Sequence, residues 1–497
     1  MPRILQMSDY RKYRLLEIIP GVLVWSSFAL AIVLSVFLPL WAIAFIIVFD
    51  LFWLFRVLYL MTYLIVIFRK YLSEQKNDWQ GRVRAVAGWE RIHHLIVLPT
   101  HGDTVDVVRT SLKSVVASSY PLDKMIIVIA TEEADGEEAR SIARTIEAEY
   151  GDRFFRFLHT THPANIKGEV AGKGANTAWA GRKAKELIDE LRIPYEDVIV
   201  SSFDIDTCVH PKYFSYLTHT FLTHPNPTRT SYQPIPLFNN NIWSAPALTR
   251  VAANATTFWL MTEQARPERL FTFSSHSMSF RALVDVDFWQ SDIVTEDSRI
   301  FLQCLLRYDG DYTVTPMYIP ISMDSVKGTT LWQSLVSLYK QQRRWAYGVE
   351  NFPYMAWNFA KNANISLGMK IRYIWNQLEG VYSWATAPII IFVLGRLPLY
   401  FISEEGQELA IVQNAPHILE LLMTAAMIGL LVSAIFSTIL LPPRPQRHRF
   451  MKVPFMFLQW ILFPIVMIAF GSIPATDAQT RLMLGKYLGF WTTKKVR

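Results

Sequence analysis

The stretch Asp197-Val198-Ile199-Val200-Ser201-Ser202-Phe203 runs directly into Asp204-Ile205-Asp206, and its reading decides the fold. A short apolar run closed by carboxylates reads as a buried strand ending in a turn. Two similar runs precede it: His94–Pro99 (HLIVLP), closed by Thr100–Gly102, and Lys124–Ala130 (KMIIVIA). Val105–Ala117, with helical spacing, follows the first, and Glu137–Tyr150, which reads as a helix, follows the second. Strands alternating with helices predict an α/β domain with a mostly parallel sheet covered on both faces. Ligands of such sheets sit at the carboxyl ends of the strands, so chemistry is expected just beyond them.

Outward from this polar middle the chain becomes strongly apolar. Ile18–Phe68 is almost wholly apolar, and about 20 such residues span a bilayer. Pro39 divides it into two helices, near Pro20–Leu38 and Leu40–Phe68. The run is too long for a signal peptide and is read as a pair of anchors. Arg3, Arg11, Lys12 and Arg14 precede it and Arg69 and Lys70 follow, which puts both ends on the cytoplasmic side. Apolar segments return at Val381–Ile402 and Ile418–Leu441, separated by a loop with Glu404, Glu405 and Glu408, as expected of an outside loop. After them come Arg444, Arg447, Arg449 and Lys452, which read as inside. A fifth segment, Val453–Ile473, is long enough to cross, and length slightly favours a crossing. The charges that follow it (Arg481, Lys486, Lys494, Lys495, Arg497) argue instead for a re-entrant segment with a cytoplasmic tail. Asp50 and Arg56 lie inside the second span, either lining a polar path or forming a stabilising pair, although six residues apart they share a helix face poorly.

Composition narrows the class. The chain has 497 residues, 51% apolar and 18% charged, against about 25% charged in ordinary proteins, which excludes a disordered chain and gives no reason to expect a nucleic-acid partner. Two cysteines, Cys208 and Cys304, exclude a disulfide framework and a four-thiolate zinc site, and suit a reducing compartment.

Four motifs carry possible chemistry, and each has a plainer explanation. Asp204-Ile205-Asp206 could hold one hard divalent cation with diphosphate oxygens, or mark a solvated turn. In Thr295-Glu296-Asp297 a partly desolvated carboxylate could serve as general base; the plainer reading is an N-cap with first-turn acids on a helix beginning near Ser298. Gln341-Gln342-Arg343-Arg344-Trp345 lies on Leu331–Tyr354, an amphipathic helix with Trp332, Leu335, Leu338, Trp345 and Tyr347 on its apolar side. Arg344 offers bidentate donors to a diphosphate and Trp345 a flat face for a sugar ring or lipid, against an ordinary basic interfacial helix. Gly172-Lys173-Gly174-Ala175-Asn176 permits close backbone approach to a nucleotide, or is a flexible turn.

In this order and spacing the four motifs resemble the membrane-integrated family 2 glycosyltransferases, a group with cellulose, chitin and hyaluronan synthases and ceramide glucosyltransferase. The resemblance implies a GT-A-like, Rossmann-like cytosolic domain inserted between transmembrane helices, a nucleotide-sugar donor (a UDP-sugar first), and Mg²⁺ or Mn²⁺. Asp204 would contact the nucleotide, and with Asp206 would hold the metal. Asp297 would be the base and Arg344 would stabilise the leaving nucleotide. Gln341 and Trp345 would border the acceptor, with Glu296 beside them. Lys173 and Asn176 match the nucleotide loop, and Pro99, Thr100 and His101 the loop that holds the base. The reaction would be inverting. Where relatives carry an Asp near the end of the second strand this chain reads Ala130-Thr131-Glu132-Glu133, so Glu132 or Glu133 would replace it. Phe273–Arg281 (FSSHSMSFR) replaces the acceptor loop of cellulose and chitin synthases, placing His276 at the acceptor or, failing that, in bonds to neighbouring serines. Gln233 or Asn239 would lie near the acceptor channel.

The expected layout is a tail and two spans over 1–75, the transferase domain over 76–330, interfacial helices over 331–375, about three further spans over 376–474 and a basic tail over 475–497. The expected protein resides in the cell inner or plasma membrane with its catalytic domain in the cytoplasm. The expected activity is extension of a polysaccharide and its passage through the protein's own helices. Transfer of one sugar to a lipid is the alternative, and a transporter or receptor with a cytosolic domain a third.

Overall fold

The computed structural model describes residues 7–444, 453–489 and 491. The charges read at Arg3, Arg447, Arg449, Lys452, Lys494, Lys495 and Arg497 lie outside the described residues. Eight strands form one sheet: β1 His93–Pro99, β2 Met125–Glu132, β3 Arg156–His162, β4 Val198–Ser202, β5 Cys208–Val209, β6 Thr230–Leu237, β7 His276–Ser279 and β8 Thr313–Ser322. Their order is β3-β2-β1-β4-β7-β6-β8-β5. The first four run parallel, β7 is antiparallel to both β4 and β6, and β6 and β8 are again parallel. An α/β domain between apolar helices is therefore the fold of this chain, with a mixed second half to its sheet.

The strands are apolar throughout because both faces are covered. Ile96, Leu98, Ile127 and Ile129 pack on one side against the helix Val105–Val116 and on Ala143 and Ile146 of the helix Gly136–Tyr150. Their alternates Leu95, Val97, Ile126 and Val128 pack on the other side against Ala178, Ala180, Ala184 and Ile188 of the helix Lys173–Glu190. This is the period-2 alternation of a pleated sheet buried twice, with about 1.5–3 kcal/mol for each large side chain enclosed.

Several boundaries differ from expectation. The second strand runs on to Glu132 because Thr131 and Glu132 pair with Thr161 and His162 of β3. That strand, RFLHTTH, was not legible as an apolar run, since it is an edge strand with only two of its seven residues buried. The amphipathic helix stops at Ala346, and Tyr347–Glu350 form a 3₁₀ turn before a new helix, Asn351–Lys361. Trp332 is 73% exposed and does not share the buried side with Leu338, while Gln341 and Gln342 do.

Among the described residues five helices are long and apolar enough to cross a membrane: Asp9–Phe37, Pro39–Glu74, Leu367–Tyr400, Ala410–Ile439 and Pro454–Met483. The break falls at Leu38, whose backbone leaves the helical region before Pro39 restarts it. The third begins before Val381 because its first turns carry Lys370 and Arg372, which mask the apolar pattern. Arg56 pairs with Glu379 of that third helix, so the expected pair with Asp50 does not form. The fifth segment contacts the helix Ala247–Glu263 near its start and the helix Leu331–Ala346 near its end. Near its start Gln459 accepts from Arg250 Nε at 2.7 Å and Trp460 stacks on Phe258; near its end Asp477 accepts from Arg343 at 2.9 Å. Arg14 donates to the carbonyls of Leu482 and Met483 at 3.0 and 2.8 Å, tying that end to the first helix.

Candidate functional site

Three sequence-distant motifs meet at one side chain. The Lys173 ammonium lies 2.7 Å from Asp204 Oδ1, 2.7 Å from Asp297 Oδ2 and 3.7 Å from Glu296 Oε1. Asp204 follows β4, Asp297 stands in the first turn of the helix Glu296–Arg307, and Lys173 opens the helix Lys173–Glu190. Two glycines make this approach possible. Gly172 has φ +148°, which side chains rarely adopt, and a Cβ on Gly174 would come within 3.2 Å of the Glu296 Cβ. The Gly-Lys-Gly segment is thus the start of a helix rather than a flexible turn.

The electrostatics follow from enclosure. Burial disfavours the Lys173 ammonium, but Asp204, Asp297 and Glu296 together outweigh it and hold its pKa above that of an ordinary lysine. Glu296 is pushed up to about 7, first by burial and then by the neighbouring Asp297 charge, with Lys173 and Arg344 pulling the other way. Asp297 has one oxygen on Lys173, while Oδ1 is buried without a hydrogen-bond partner. His276 is wholly buried behind this carboxylate: its Nδ1 bonds the Phe273 carbonyl at 2.9 Å and lies 3.9 Å from Asp297 Oδ1. It bonds the Phe273 carbonyl rather than a neighbouring serine, and its pKa is lowered by burial. Glu296, 2% exposed, is likewise turned inward rather than toward an acceptor.

Asp204 and Asp206 differ in setting. The Asp204 side chain is 23% exposed toward Lys173. Asp206 is fully enclosed, and its Oδ2 accepts the Asp324 backbone N–H at 2.8 Å. Asn240 braces the same corner, donating to the Asp206 carbonyl at 2.9 Å and to Asp324 Oδ1 at 3.1 Å. Asn239 donates to the Leu440 carbonyl instead, and Gln233 Oε1 accepts from Phe273 N at 2.7 Å, so both serve the scaffold rather than an acceptor channel.

At the neighbouring strand ends, Thr100 N and Asn176 Nδ2 both donate to the Ala130 carbonyl, at 2.8 and 3.0 Å. This ties the loop after Pro99 to the end of β2 and the start of the Lys173 helix. Glu132, 8% exposed, has its pKa raised by burial. Glu133 accepts from Ala164 N and points away. His101 Nδ1 lies 2.9 Å from Asp135, which raises its pKa; Asp135 was missed because nothing in the sequence marks it out.

Gln341 and Trp345 line a narrow recess with Phe238, Asp324, Val326 and Leu338. Trp345 meets Phe238 with ring centroids 5.7 Å apart. The turn after this helix was also missed as part of the site: Glu350 Oε1 accepts from the Thr295 hydroxyl at 2.5 Å, and Asn351 Oδ1 from Arg299 Nε at 2.7 Å. Thr295 spends its hydroxyl there and makes no N-cap bond, although Glu296 and Asp297 do occupy the first helical turn.

Among the described residues no cluster of three or more His, Cys, Asp or Glu side chains forms a ready-made metal cage. Among curated proteins none matches the chain. One solved structure of similar arrangement is the mannosyltransferase PcManGT from Pyrobaculum calidifontis in complex with GDP-Man and Mn²⁺, 13% identical, with 75% of this chain and 99% of that one covered and a TM-score of 0.43. The family described as Glycosyl transferase family group 2 matches residues 199–472, from β4 through Asp204, Asp297 and Arg344 into the last apolar segment. That is more than half of the chain, and the protein belongs to this family of glycosyltransferases.

Proposed function

We propose that the protein is a membrane-bound, inverting glycosyltransferase that moves a sugar from a nucleotide sugar, a UDP-sugar first, onto a growing polysaccharide, with its catalytic domain in the cytoplasm. The observation that carries this is the convergence of Asp204, Glu296 and Asp297 on Lys173, with Arg344 beside Glu296.

In the proposed step an acceptor hydroxyl oxygen attacks the anomeric carbon. The new C–O bond forms as the bond to the diphosphate oxygen breaks, and the nucleoside diphosphate leaves. The hydroxyl proton passes to Asp297, whose Oδ1 is the oxygen not engaged by Lys173. Arg344 compensates charge on the departing diphosphate, and Trp345 with Gln341 borders the acceptor. Pro99, Thr100, His101, Glu132 and Asn176 hold the nucleotide at the strand ends.

Mg²⁺ or Mn²⁺ fits this donor set. The carboxylates there outnumber Lys173 and Arg344, their oxygens are hard, and an incomplete protein cage is what such ions accept when substrate phosphates complete it. Asp204 and Asp206 would hold it, and when bound it neutralises charge on the diphosphate.

The test is nucleotide release by purified protein in nanodiscs with Mn²⁺ or Mg²⁺, across UDP- and GDP-sugars, with products sized. A high-mass ladder supports the polymer reading, and one low-mass lipid product replaces it with transfer to a lipid. No metal-dependent release from any donor, with sugar and lipid acceptors supplied, would sink the proposal.

A further inference from the structure

Resting on that reading, we infer that Lys173 is a built-in counter-ion that competes with the divalent cation for Asp204 and quenches Asp297 until the donor arrives. Its ammonium sits 2.7 Å from each of these two carboxylates, with a side chain only 10% exposed. A carboxylate bonded to an ammonium is a poor base, because a proton would have to join it beside a positive charge. A divalent ion at Asp204 and an ammonium 2.7 Å from the same oxygen repel each other strongly in an enclosed site. Both cannot stay.

The Lys173 side chain has to move, and its four-carbon stem allows that where a planar guanidinium would resist. The backbone beneath it is rigid by comparison, pinned by the Gly172 conformation and by the contact of Gly174 with Glu296. The diphosphate of the donor offers the displaced ammonium a new partner. Donor binding thereby releases both Asp204 for the metal and Asp297 for the acceptor proton, so base and metal site become competent together.

The experiment measures Mn²⁺ binding to the full-length protein in detergent by electron paramagnetic resonance, first without nucleotide and then with UDP or GDP. Lys173→Gln is expected to bind Mn²⁺ without nucleotide at least tenfold more tightly than wild type; an unchanged or weaker affinity in the folded variant overturns the inference. Asp297→Asn is the second variant and serves if Lys173→Gln does not fold. It removes one of the two anchors of the ammonium and is expected to tighten nucleotide-free Mn²⁺ binding, whereas mere loss of a nearby negative charge would weaken it, and weakening or no change overturns the competition. If neither UDP nor GDP brings Mn²⁺ onto wild type, the metal-dependent reading fails and this inference with it. If nucleotide does bring Mn²⁺ onto wild type but the variants bind it no more tightly without nucleotide, only this inference fails.

Discussion

At the scale of single residues, the arrangement at Asp297 makes a definite claim. Asp297→Asn keeps the shape and loses the proton acceptor, so turnover should fall by about 10²-fold or more while nucleotide binding, read by calorimetry, stays within a few-fold of wild type. Loss of nucleotide binding together with turnover would move Asp297 to the nucleotide site. A second residue bears on stability alone. His94 on β1 is wholly buried, bonds Thr218 through Nε2 at 2.7 Å, and has its pKa pushed down to about 3 by burial. Below about 6.5 the unfolded chain takes up a proton that the folded chain refuses, so this residue's contribution is present above about pH 6.5 and is lost as pH falls toward 3. The slope approaches ~1.4 kcal/mol per pH unit. His94→Phe, which keeps a ring between Tyr120 and Phe214, should therefore lose less Tm than wild type between pH 6.5 and 4.5; an equal loss would mean the acid sensitivity lies elsewhere. The carboxylate and arginine motifs were legible because their residue types are unusual at a strand end or on a helix before apolar spans. The meeting of Lys173 with Asp204 and Asp297 was not, since a contact across 124 residues leaves no local trace.

At the scale of elements, the site depends on how closely the Lys173 helix abuts the helix that starts at Glu296. Gly174→Val would press a branched side chain on the Glu296 Cβ and the Gln290 carbonyl, 3.2 and 3.3 Å from where its Cβ would stand. Overpacking of this kind costs about 1–3 kcal/mol. We expect nucleotide affinity to drop at least tenfold while the far-ultraviolet circular dichroism stays that of a folded chain; undiminished affinity would show that the two helices can separate without harm. Strands β1, β2 and β4 and the helices Val105–Val116 and Gly136–Tyr150 were legible from apolar runs and helical spacing, whereas the helix Lys173–Glu190 was not. Strand β3 was not, because an edge strand alternates its exposure and carries arginine, histidine and threonine where a central strand carries valine and isoleucine. The end of the amphipathic helix at Ala346 was also hidden, since Tyr347, Val349 and Phe352 continue an apolar pattern across a 3₁₀ turn that only their packing imposes.

At the scale of the molecule, the path of the fifth apolar segment sets the side of the tail. Gln459 and Trp460 near its start and Asp477 near its end all contact parts of the catalytic side, and Arg14 caps its last turn. A helix crossing about 30 Å of hydrocarbon could not keep both ends on one side. We therefore expect the tail on the catalytic-domain side, so that a reporter fused after Arg497 shows cytoplasmic activity, green fluorescence rather than alkaline phosphatase; the opposite result would make the segment a true crossing. The sequence by itself determined the α/β class, the presence of long apolar helices around it and the identity of the carboxylate motifs, because apolar runs, periodicity and rare residue types are local properties of a chain. The tertiary structure alone decided that Lys173 is the hub of the site, that Arg56 answers Glu379, that His276 lies behind Asp297 and that the last apolar segment returns to the catalytic domain. Each of these is a contact between residues far apart in sequence, chosen by which buried charge can find a partner and which apolar face can be covered once the whole chain has closed.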